Sequence, residues 1–332
     1  MIEVSNILSA ITEGTKLNKC LTFGLFGCYF FTIKVLFTDS IALIEFIFYT
    51  LFIMLFNQKL TTTLEKIAFW LQDHVFYNKH NKNAFDKFTL GRFKGQGIQL
   101  VTHTIGVLLA VPTLFQEGWL GDFKHLFSPC PVEQTMTHAI RIAYMFELAS
   151  YCYQAFEHRF RLVKNKDYYI MFAHHLTTII LIAGSYYLQC WRIGLVVLFL
   201  HDFSDIFLDV NLMFNQSGME GPEYYYANEI LFVCTALSWF LFRLVYLPNL
   251  IYHTVIDGHR MCALNHPGEP WKYPKCEGIP FYWGGVTALS ALVVMHAYWF
   301  YLMIIVAIHI VRKSNKNKAG ETYETQLKEK EE

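Results

Sequence analysis

Long apolar runs restrict what this chain can fold into more than any other feature. A helix needs about 20 apolar residues to cross the hydrocarbon core of a bilayer. Seven runs approach or exceed that length, at about residues 40–57, 98–116, 136–156, 168–189, 193–214, 227–251 and 284–311. Because backbone polar groups in lipid must be satisfied within the segment, each run is expected to be a helix. We therefore predict an all-α polytopic membrane protein with about seven transmembrane helices.

The composition agrees with that class and argues against others. Of 332 residues, 54% are hydrophobic and 17% are aromatic, more than in an ordinary soluble domain. The 27 basic residues balance the 27 acidic residues, so nothing in the net charge indicates a nucleic-acid partner. The eight cysteines form neither a CxxC pair nor a Cys/His finger, which argues against zinc modules.

An eighth apolar run, Cys20–Phe37, is shorter and less regular than the others. It is interrupted by Gly24, Gly27 and Lys34. We predict an interfacial or re-entrant helix there, within an N-terminal segment 1–39, so that the first transmembrane helix covers 40–57.

The distribution of Lys and Arg predicts the orientation of the spans. The loop 58–97 and the link 157–167 are rich in basic residues, whereas the loop 117–135 contains only Lys124. An excess of Lys and Arg marks the cytosolic side. Seven spans then place the N-terminus in the lumen and the tail 312–332 in the cytosol. The tail is highly charged and lacks apolar periodicity, so we also predict that it is disordered.

Two smaller features depend on this orientation. Cys262 and Cys276 lie in the loop 252–283, which it places in the lumen, where either a disulfide or two free thiols would be compatible with the sequence. The tail contains Lys328 and Lys330 in a KxKxx ending, which resembles the dilysine signal for retrieval to the endoplasmic reticulum. We therefore predict a multi-pass protein of the endoplasmic reticulum membrane.

Ionisable residues are concentrated on two consecutive apolar runs. Ionisable side chains at membrane depth are costly and usually mark a function. Asp202, Asp205 and Asp209 follow an i, i+3, i+7 pattern and share one helix face. His174 and His175 diverge by about 100°, so at most one of them can point straight at this acidic stripe. The group is interpreted either as a buried structural network or as a reactive histidine with carboxylate partners.

These residues also carry a resemblance to a known family. The segment 167–213 contains His174-His175, Ser185-Tyr186, Arg192-Ile193-Gly194 and then the run 201–209, HDFSDIFLD. This pattern resembles the Lag motif of the ceramide synthases, within the TLC-domain membrane proteins. A looser similarity extends from about Phe88 to Arg312, which gives a predicted TLC domain at 98–311. Asp209 stands where the family pattern has Glu.

The resemblance implies a fold, an activity and a set of site residues. The fold is six core helices around a central cavity, with the first span peripheral. The activity is transfer of a fatty acyl group from acyl-CoA to the amine of a sphingoid base, in the lipid bilayer and with no cofactor besides the acyl-CoA co-substrate. A homo- or hetero-oligomer with other membrane subunits is compatible with it. The catalytic candidates are His174, His175, His201, Asp202 and Asp205, and the substrate-binding candidates are Asp209, Ser185, Tyr186 and Arg243.

We assign roles within this set as hypotheses. His174 is the reacting base or nucleophile, and Asp205 orients it and stabilises its imidazolium. Asp202 and Asp209 bind the amine or hydroxyl groups of the sphingoid base. Arg243 is costly to bury, so it should meet either an acid of the run 193–214 or a phosphate of a ligand.

Several alternatives remain open at the sequence level. The chain could be a non-catalytic TLC protein that senses or transfers lipids, or an acyltransferase or hydrolase that acts on another amine or ester. A metal site would need His174, His201, Asp202 and Asp205 to converge, and we predict none because the chain lacks HxxH beside its single HH pair. Other polar residues of the apolar runs are predicted to make interhelical hydrogen bonds; these are His103, His138, Glu147, His296 and His309.

Overall fold

The fold is a bundle of long helices, seen here in a computed structural model. The structure describes residues 16–75, 85, 87–127, 135–160, 168–219, 221–258 and 280–331. The first four long helices are α1 (Lys16–Leu36), α2 (Ser40–His74), α3 (Lys87–Glu117) and α4 (His138–Phe160). They are followed by α5 (Tyr168–Tyr187), α6 (Trp191–Gln216), α7 (residues 227–258) and α8 (Pro280–Glu331). No β-strand occurs within these ranges, and the prediction of an all-α polytopic membrane protein is confirmed.

Six of the helices are long and apolar enough to cross a membrane: α1, α2, α3, α5, α7 and α8. The other two, α4 and α6, have 23 and 26 residues, which is also sufficient length. They differ because they carry most of the buried ionisable side chains. Both lie inside the bundle, where α6 packs against α3, α4, α5 and α7. The two helices that carry most of the buried ionisable side chains therefore lie at the centre of the bundle.

Helix α7 changes its hydrogen-bond pattern three times along its length. It begins as the α-helix Ala227–Trp239, becomes a π-helix over Phe240–Tyr246, and continues as the α-helix Leu247–His253. A second π-helical segment, Thr254–Gly258, ends it. Isolated π-helical segments widen a helix by one residue and occur frequently at functional sites. In this helix, the first of them contains Arg243.

The region 16–36 is one uninterrupted helix that runs beside α4 and α5, so the re-entrant form of its prediction is wrong. The interfacial form stays a prediction, because the contacts of α1 do not fix its position relative to a membrane. Tyr29 donates a hydrogen bond to the Cys152 carbonyl of α4 at 2.8 Å, and Arg159 donates to Thr22 at 2.9 Å. The physical reason is that Gly24 and Gly27 interrupt the hydropathy of the run without breaking the helix. Helix α1 is thus part of the bundle, not an element at its edge.

A capped turn joins α1 to α2 and connects both to α5. Asp39 accepts hydrogen bonds from the amides of Ile41 and Ala42 at 3.1 Å, as an N-cap of α2. Its other carboxylate oxygen accepts a hydrogen bond from the Tyr186 hydroxyl at 2.7 Å, and this bond is the main reason that the pKa of Asp39 lies below its ordinary value. The start of α2 is therefore fixed to the end of α5.

Two predicted boundaries also change. The segment 58–97, predicted as a loop, is mostly helical, because α2 continues to His74 and α3 begins at Lys87. The tail 312–332 is not disordered, because α8 continues to Glu331 through the charged residues. A high content of Lys, Glu and Gln lowers hydropathy but keeps a strong helix propensity, which explains both differences. The predicted cysteine pair, Cys262 and Cys276, lies outside the described residues.

Candidate functional site

A buried arginine organises the centre of the bundle. Arg243 of α7 is 2% exposed and lies 2.6 Å from a carboxylate oxygen of Asp205. It also donates to the Ser204 hydroxyl at 2.7 Å and to the His201 carbonyl at 3.1 Å. The guanidinium carbon lies 3.9 Å from the ring centroid of Trp239, an arrangement typical of a cation–π contact. Of the two partners predicted for Arg243, an acid of the run 193–214 is the one found.

This ion pair changes the predicted role of Asp205. The carboxylate binds the arginine of α7, and among the described residues it makes no hydrogen bond to His174. The prediction that Asp205 orients His174 is therefore not realised in this arrangement. The reason is the π-helical turn of α7, which brings Arg243 to the acidic face of α6; the spacing within α6 alone could not indicate this.

Two histidine rings and the arginine form a chain of hydrogen bonds. The Nε2 atoms of His201 and His296 are 2.8 Å apart, and Nδ1 of His201 lies 2.7 Å from the Val197 carbonyl oxygen. Since a carbonyl only accepts, His201 donates from Nδ1 and its Nε2 must accept from His296. The remaining nitrogen of His296, Nδ1, lies 3.4 Å from Arg243 and accepts from it. This assignment satisfies both rings in the neutral form.

His174 lies beside this chain but takes no hydrogen bond from it. Its ring centroid is 6.5 Å from that of His201 and 5.8 Å from that of His296, and Trp299 packs edge-on at 5.6 Å. Its Nδ1 is buried with no hydrogen-bond partner in the described residues. A buried imidazole nitrogen without a partner is unusual. The contacts of the bundle therefore leave the hydrogen-bonding capacity of this nitrogen unused.

His175 faces a different side of α5, as the 100° divergence predicts. Its ring lies 5.4 Å from that of His158 and 6.3 Å from that of Tyr151, both on α4. Its Nδ1 is also buried without a hydrogen-bond partner among the residues that the structure describes. The two adjacent histidines therefore lie in two different, neighbouring environments. Only the environment of His174 contains His201 and Arg243.

Asp202 belongs to a pair of buried carboxyl groups. It is 1% exposed and lies close to Glu147 of α4, which is 3% exposed, because one carboxylate oxygen of each side chain reaches the same space beside Gly106. Two carboxyl groups can share a hydrogen bond only if one of them carries the proton. The pair faces Gly106 of α3, whose missing side chain gives it room. It can hold and release one proton at the centre of the bundle.

Replacement of Gly106 by alanine should disrupt this pair. The added Cβ would overlap the carboxylate oxygens of both Asp202 and Glu147. We expect Gly106→Ala to lower the free energy of unfolding by about 1–3 kcal/mol, the usual cost of overpacking a core, and to reduce turnover. The matched control is Gly95→Ala on the same helix, where no described atom lies within 4 Å of the added Cβ. Equal thermal stability of the two variants in detergent would contradict this assignment.

The third acid of the stripe makes a structural contact. Asp209 is 1% exposed, lies 2.7 Å from Nδ1 of His103, and accepts a second hydrogen bond from Gln96 at 3.3 Å. Both of these partners belong to α3, whereas Asp205 is paired with α7. We find Asp209 engaged in helix packing, so its predicted role in substrate binding receives no support from the geometry.

The predicted Ser185-Tyr186 pair is distant from the histidines. Tyr186 binds Asp39, as described above, and its predicted role in substrate binding also lacks support. Ser185 donates to the Ile182 carbonyl at 3.0 Å, and its oxygen lies 3.2 Å from the Tyr144 hydroxyl. Ser185 lines a cavity, so it remains the one member of the pair that a ligand could contact.

That cavity has a volume of about 960 Å³ and is bounded mainly by α1, α5, α6 and α8. His201 is at its inner end, and Ser185 and Gly194 lie towards the other end. Most of the other lining side chains are apolar, and the exceptions include Lys34, Thr38, Thr178 and Thr254. Ile180 and Tyr187 line the cavity and are 47% and 49% exposed, so one side opens towards the surrounding lipid. The shape and the lining suit a long hydrocarbon chain.

The other polar residues of the spans vary in their contacts. The predicted interhelical hydrogen bonds are present for His103 and His296, whereas Glu147 lies close to Asp202 as described above. By contrast, His138 bonds to Arg141 of its own helix, and His309 bonds to the Ile305 carbonyl. The position of His296 between His201 and Arg243 could not be predicted from the sequence, because the residue is marked there only by its place in an apolar run. In the described ranges, no group of three or more His, Cys, Asp or Glu side chains is arranged to hold a metal ion.

Comparisons with known proteins identify the family of this chain. A family model described as the TLC domain matches residues 92–305. The chain is 30% identical to "Ceramide synthase 1 LOH3" of Arabidopsis thaliana over 261 residues, which covers 74% of this chain and 79% of that protein. It is 28% identical to "Ceramide synthase LOH2" of the same plant, over 77% of this chain and 81% of that protein.

A human relative gives a shorter alignment. "Ceramide synthase 1" of Homo sapiens is 29% identical over 177 residues, or 52% of this chain and 47% of that protein. The TLC model covers all of α4, α5 and α6, together with Arg243 and His296, and therefore the whole group of buried histidines, acids and arginine, but not the cavity wall formed by α1. The match extends over more than half of the sequence, and the chain belongs to the TLC domain family.

Proposed function

We propose that this protein is a ceramide synthase, which transfers a fatty acyl group from acyl-CoA to the amine of a sphingoid base. The observation that carries the proposal is a cavity suited to a hydrocarbon chain that ends at His201, beside the unpartnered imidazole of His174. The similarity to proteins named ceramide synthases supports it. Both substrates have long apolar tails, which explains why the reaction would take place inside a membrane bundle.

His174 is the proposed nucleophile or base. Its unpartnered Nδ1 attacks the thioester carbonyl, the C–S bond breaks, and CoA leaves as the thiol after it takes up a proton. The sphingoid amine then attacks the acyl-imidazole, the C–N amide bond forms, and the imidazole is released. The amine arrives as its ammonium form and loses two protons on the way to the amide: one balances the proton that the CoA thiolate takes up, and the other is released to solvent. The pair of Asp202 and Glu147, with one proton between its two carboxyl groups, is suited to donate to the thiolate and to be reprotonated by the amine.

Arg243 and its neighbours act as positioning groups in this proposal. The arginine fixes Asp205 and the His201 carbonyl, and through His296 it fixes the tautomer of His201. His201 thus presents a fixed ring at the end of the cavity. Since the imidazoles and carboxyl groups supply all of the proton transfers, the proposal requires no cofactor besides the acyl-CoA co-substrate.

The activity can be tested directly. Microsomes that contain the protein are incubated with sphinganine and a panel of acyl-CoAs, and the products are identified by mass spectrometry. We expect N-acylated sphinganine. The absence of any amide product with every acyl-CoA, at normal protein level, would contradict the proposal and favour a lipid-binding role without catalysis.

We also propose residence in the endoplasmic reticulum membrane and a revised topology. Because α1 adds one crossing to the seven that were predicted, the chain would have eight, and both termini would face the cytosol. The positive-inside rule fixes residues 58–97 on that side. The KxKxx ending would then remain accessible to a cytosolic retrieval receptor.

Protease protection should distinguish the two topologies. An epitope tag before residue 1 and a second tag after residue 332 should both be digested in sealed microsomes. A luminal marker protein provides the control for sealed vesicles. Digestion of the second tag alone would show that the N-terminus is luminal and that α1 does not cross the membrane.

A further inference from the structure

Helix α1 forms one wall of the cavity, although it precedes the region that the family model matches. Its cavity-lining residues include Gly24, Gly27, Phe31, Lys34 and Thr38. Intervals of three and four residues place the first four of these positions on one stripe of the helix, and Thr38 lies in the turn just after it. At a rise of about 1.5 Å per residue, the stripe from Gly24 to Lys34 extends over about 15 Å. The wall therefore follows the cavity along much of its length.

The orientation of this wall is fixed by contacts at both of its ends. A Cβ on Gly24 would lie 3.5 Å from Leu176, two residues after His174, so this end of the stripe is near the histidines. Thr38 is followed by Asp39, which binds Tyr186 at the opposite end of α5. A hydrocarbon chain that starts at the histidines and enters the cavity would thus pass Gly24 and Gly27 before Thr38.

Gly27 leaves open space in the cavity. No described atom lies within 4 Å of a Cβ placed on Gly27, and the contact at Gly24 is an ordinary van der Waals distance. The neighbouring cavity-facing residue Phe31, one turn further on, carries a large side chain. The two glycines therefore provide volume at the inner part of the cavity, which an acyl chain must pass if it is long enough to extend towards Thr38.

We infer that α1 acts as a ruler that selects the length of the fatty acyl chain, with Gly27 as a specificity-determining residue. The inference rests on the proposed function. The occupant is a hydrocarbon tail, because most of the lining side chains are apolar. Each methylene group that is excluded from an apolar site reduces the specificity constant roughly fourfold. A side chain that projects from position 27 should therefore discriminate strongly against long chains.

The experiment is a competition between acyl-CoAs of different lengths for sphinganine, with wild-type protein and Gly27→Leu. We expect the variant to shift its products towards shorter acyl chains, with the ratio of the longest to the shortest product reduced by on the order of tenfold or more. Thr38→Leu, just beyond the far end of the stripe, should reduce only the longest products. The matched control is Gly95→Leu on α3, which is exposed, does not line the cavity and has no described atom within 4 Å of its Cβ.

The ratio of long-chain to short-chain products distinguishes a change of specificity from a loss of protein. It does not depend on the amount of folded protein, so a lower yield of the Gly27→Leu variant would not change the ratio. An unchanged ratio, or an equal loss of all chain lengths, would overturn the role of α1 even if ceramide synthesis itself is observed. A wild-type protein that forms no amide would instead contradict the proposed function.

Discussion

Replacement of His174 by alanine is expected to abolish acyl transfer while the protein still folds. The side chain makes no hydrogen bond in the described residues, so its removal breaks none of the interactions that hold the helices together. If the imidazole is a covalent nucleophile, the loss should exceed the roughly 10²–10⁴-fold that simple acid–base help contributes. Labelled acyl-CoA without sphingoid base should leave label on the wild-type protein and none on His174→Ala.

The control for this experiment is another histidine of the bundle. His309 of α8 is exposed and bonds to the Ile305 carbonyl of its own helix, so His309→Ala should keep full activity. Substantial activity of His174→Ala would show that a different group reacts. His175 would then be the next candidate, because both ring nitrogens of His201 already have partners.

Removal of one partner of the buried ion pair should produce the largest loss of stability. Arg243→Ala leaves the Asp205 carboxylate without its counter-ion, and Asp205→Ala leaves the guanidinium in the same state. Breaking a buried pair in this way costs about 3–5 kcal/mol. The double replacement Arg243→Met with Asp205→Leu removes both charges and should recover much of that loss. It should still lack activity, because the chain of hydrogen bonds that orients His296 and His201 loses its donor.

A partly exposed ion pair gives the matched comparison. Arg141 binds Glu45 at 3.0 Å, and the two side chains are 23% and 18% exposed. Exposed pairs contribute about 0–1 kcal/mol, so Arg141→Ala should have a much smaller effect on thermal unfolding in detergent. If Arg243→Ala and Arg141→Ala were equally stable, the buried pair would not be an important contact of the bundle.

Most of the fold could be predicted from the sequence, because hydropathy depends on local composition. All seven predicted spans correspond to helices, and the predicted start of α5 at residue 168 agrees with Tyr168. The differences arise where composition and helix propensity diverge. Residues 58–74 and the charged tail are polar and yet helical, and the glycines of α1 lower hydropathy without ending the helix.

The site could be predicted only as a set of residues. The cost of buried ionisable groups identified His174, His201, Asp202 and Asp205. Their pairing depends on which helices are neighbours. Asp205 meets Arg243 and Asp202 meets Glu147 because α7 and α4 both pack against α6. A single sequence does not contain that information, and neither could it distinguish Asp209, which packs against α3, from the other two acids.

The π-helical segment of α7 has a consequence for how such sites arise and are lost. Its wider turn accommodates one residue more than a regular helix, and Arg243 lies within it. A deletion of Leu241 would restore the regular spacing and rotate either the arginine or the preceding half of the helix by about 100°. The position of the guanidinium therefore depends on the number of residues in this segment of α7. Two relatives could share an identical set of polar residues and still differ in function by one insertion in a membrane span.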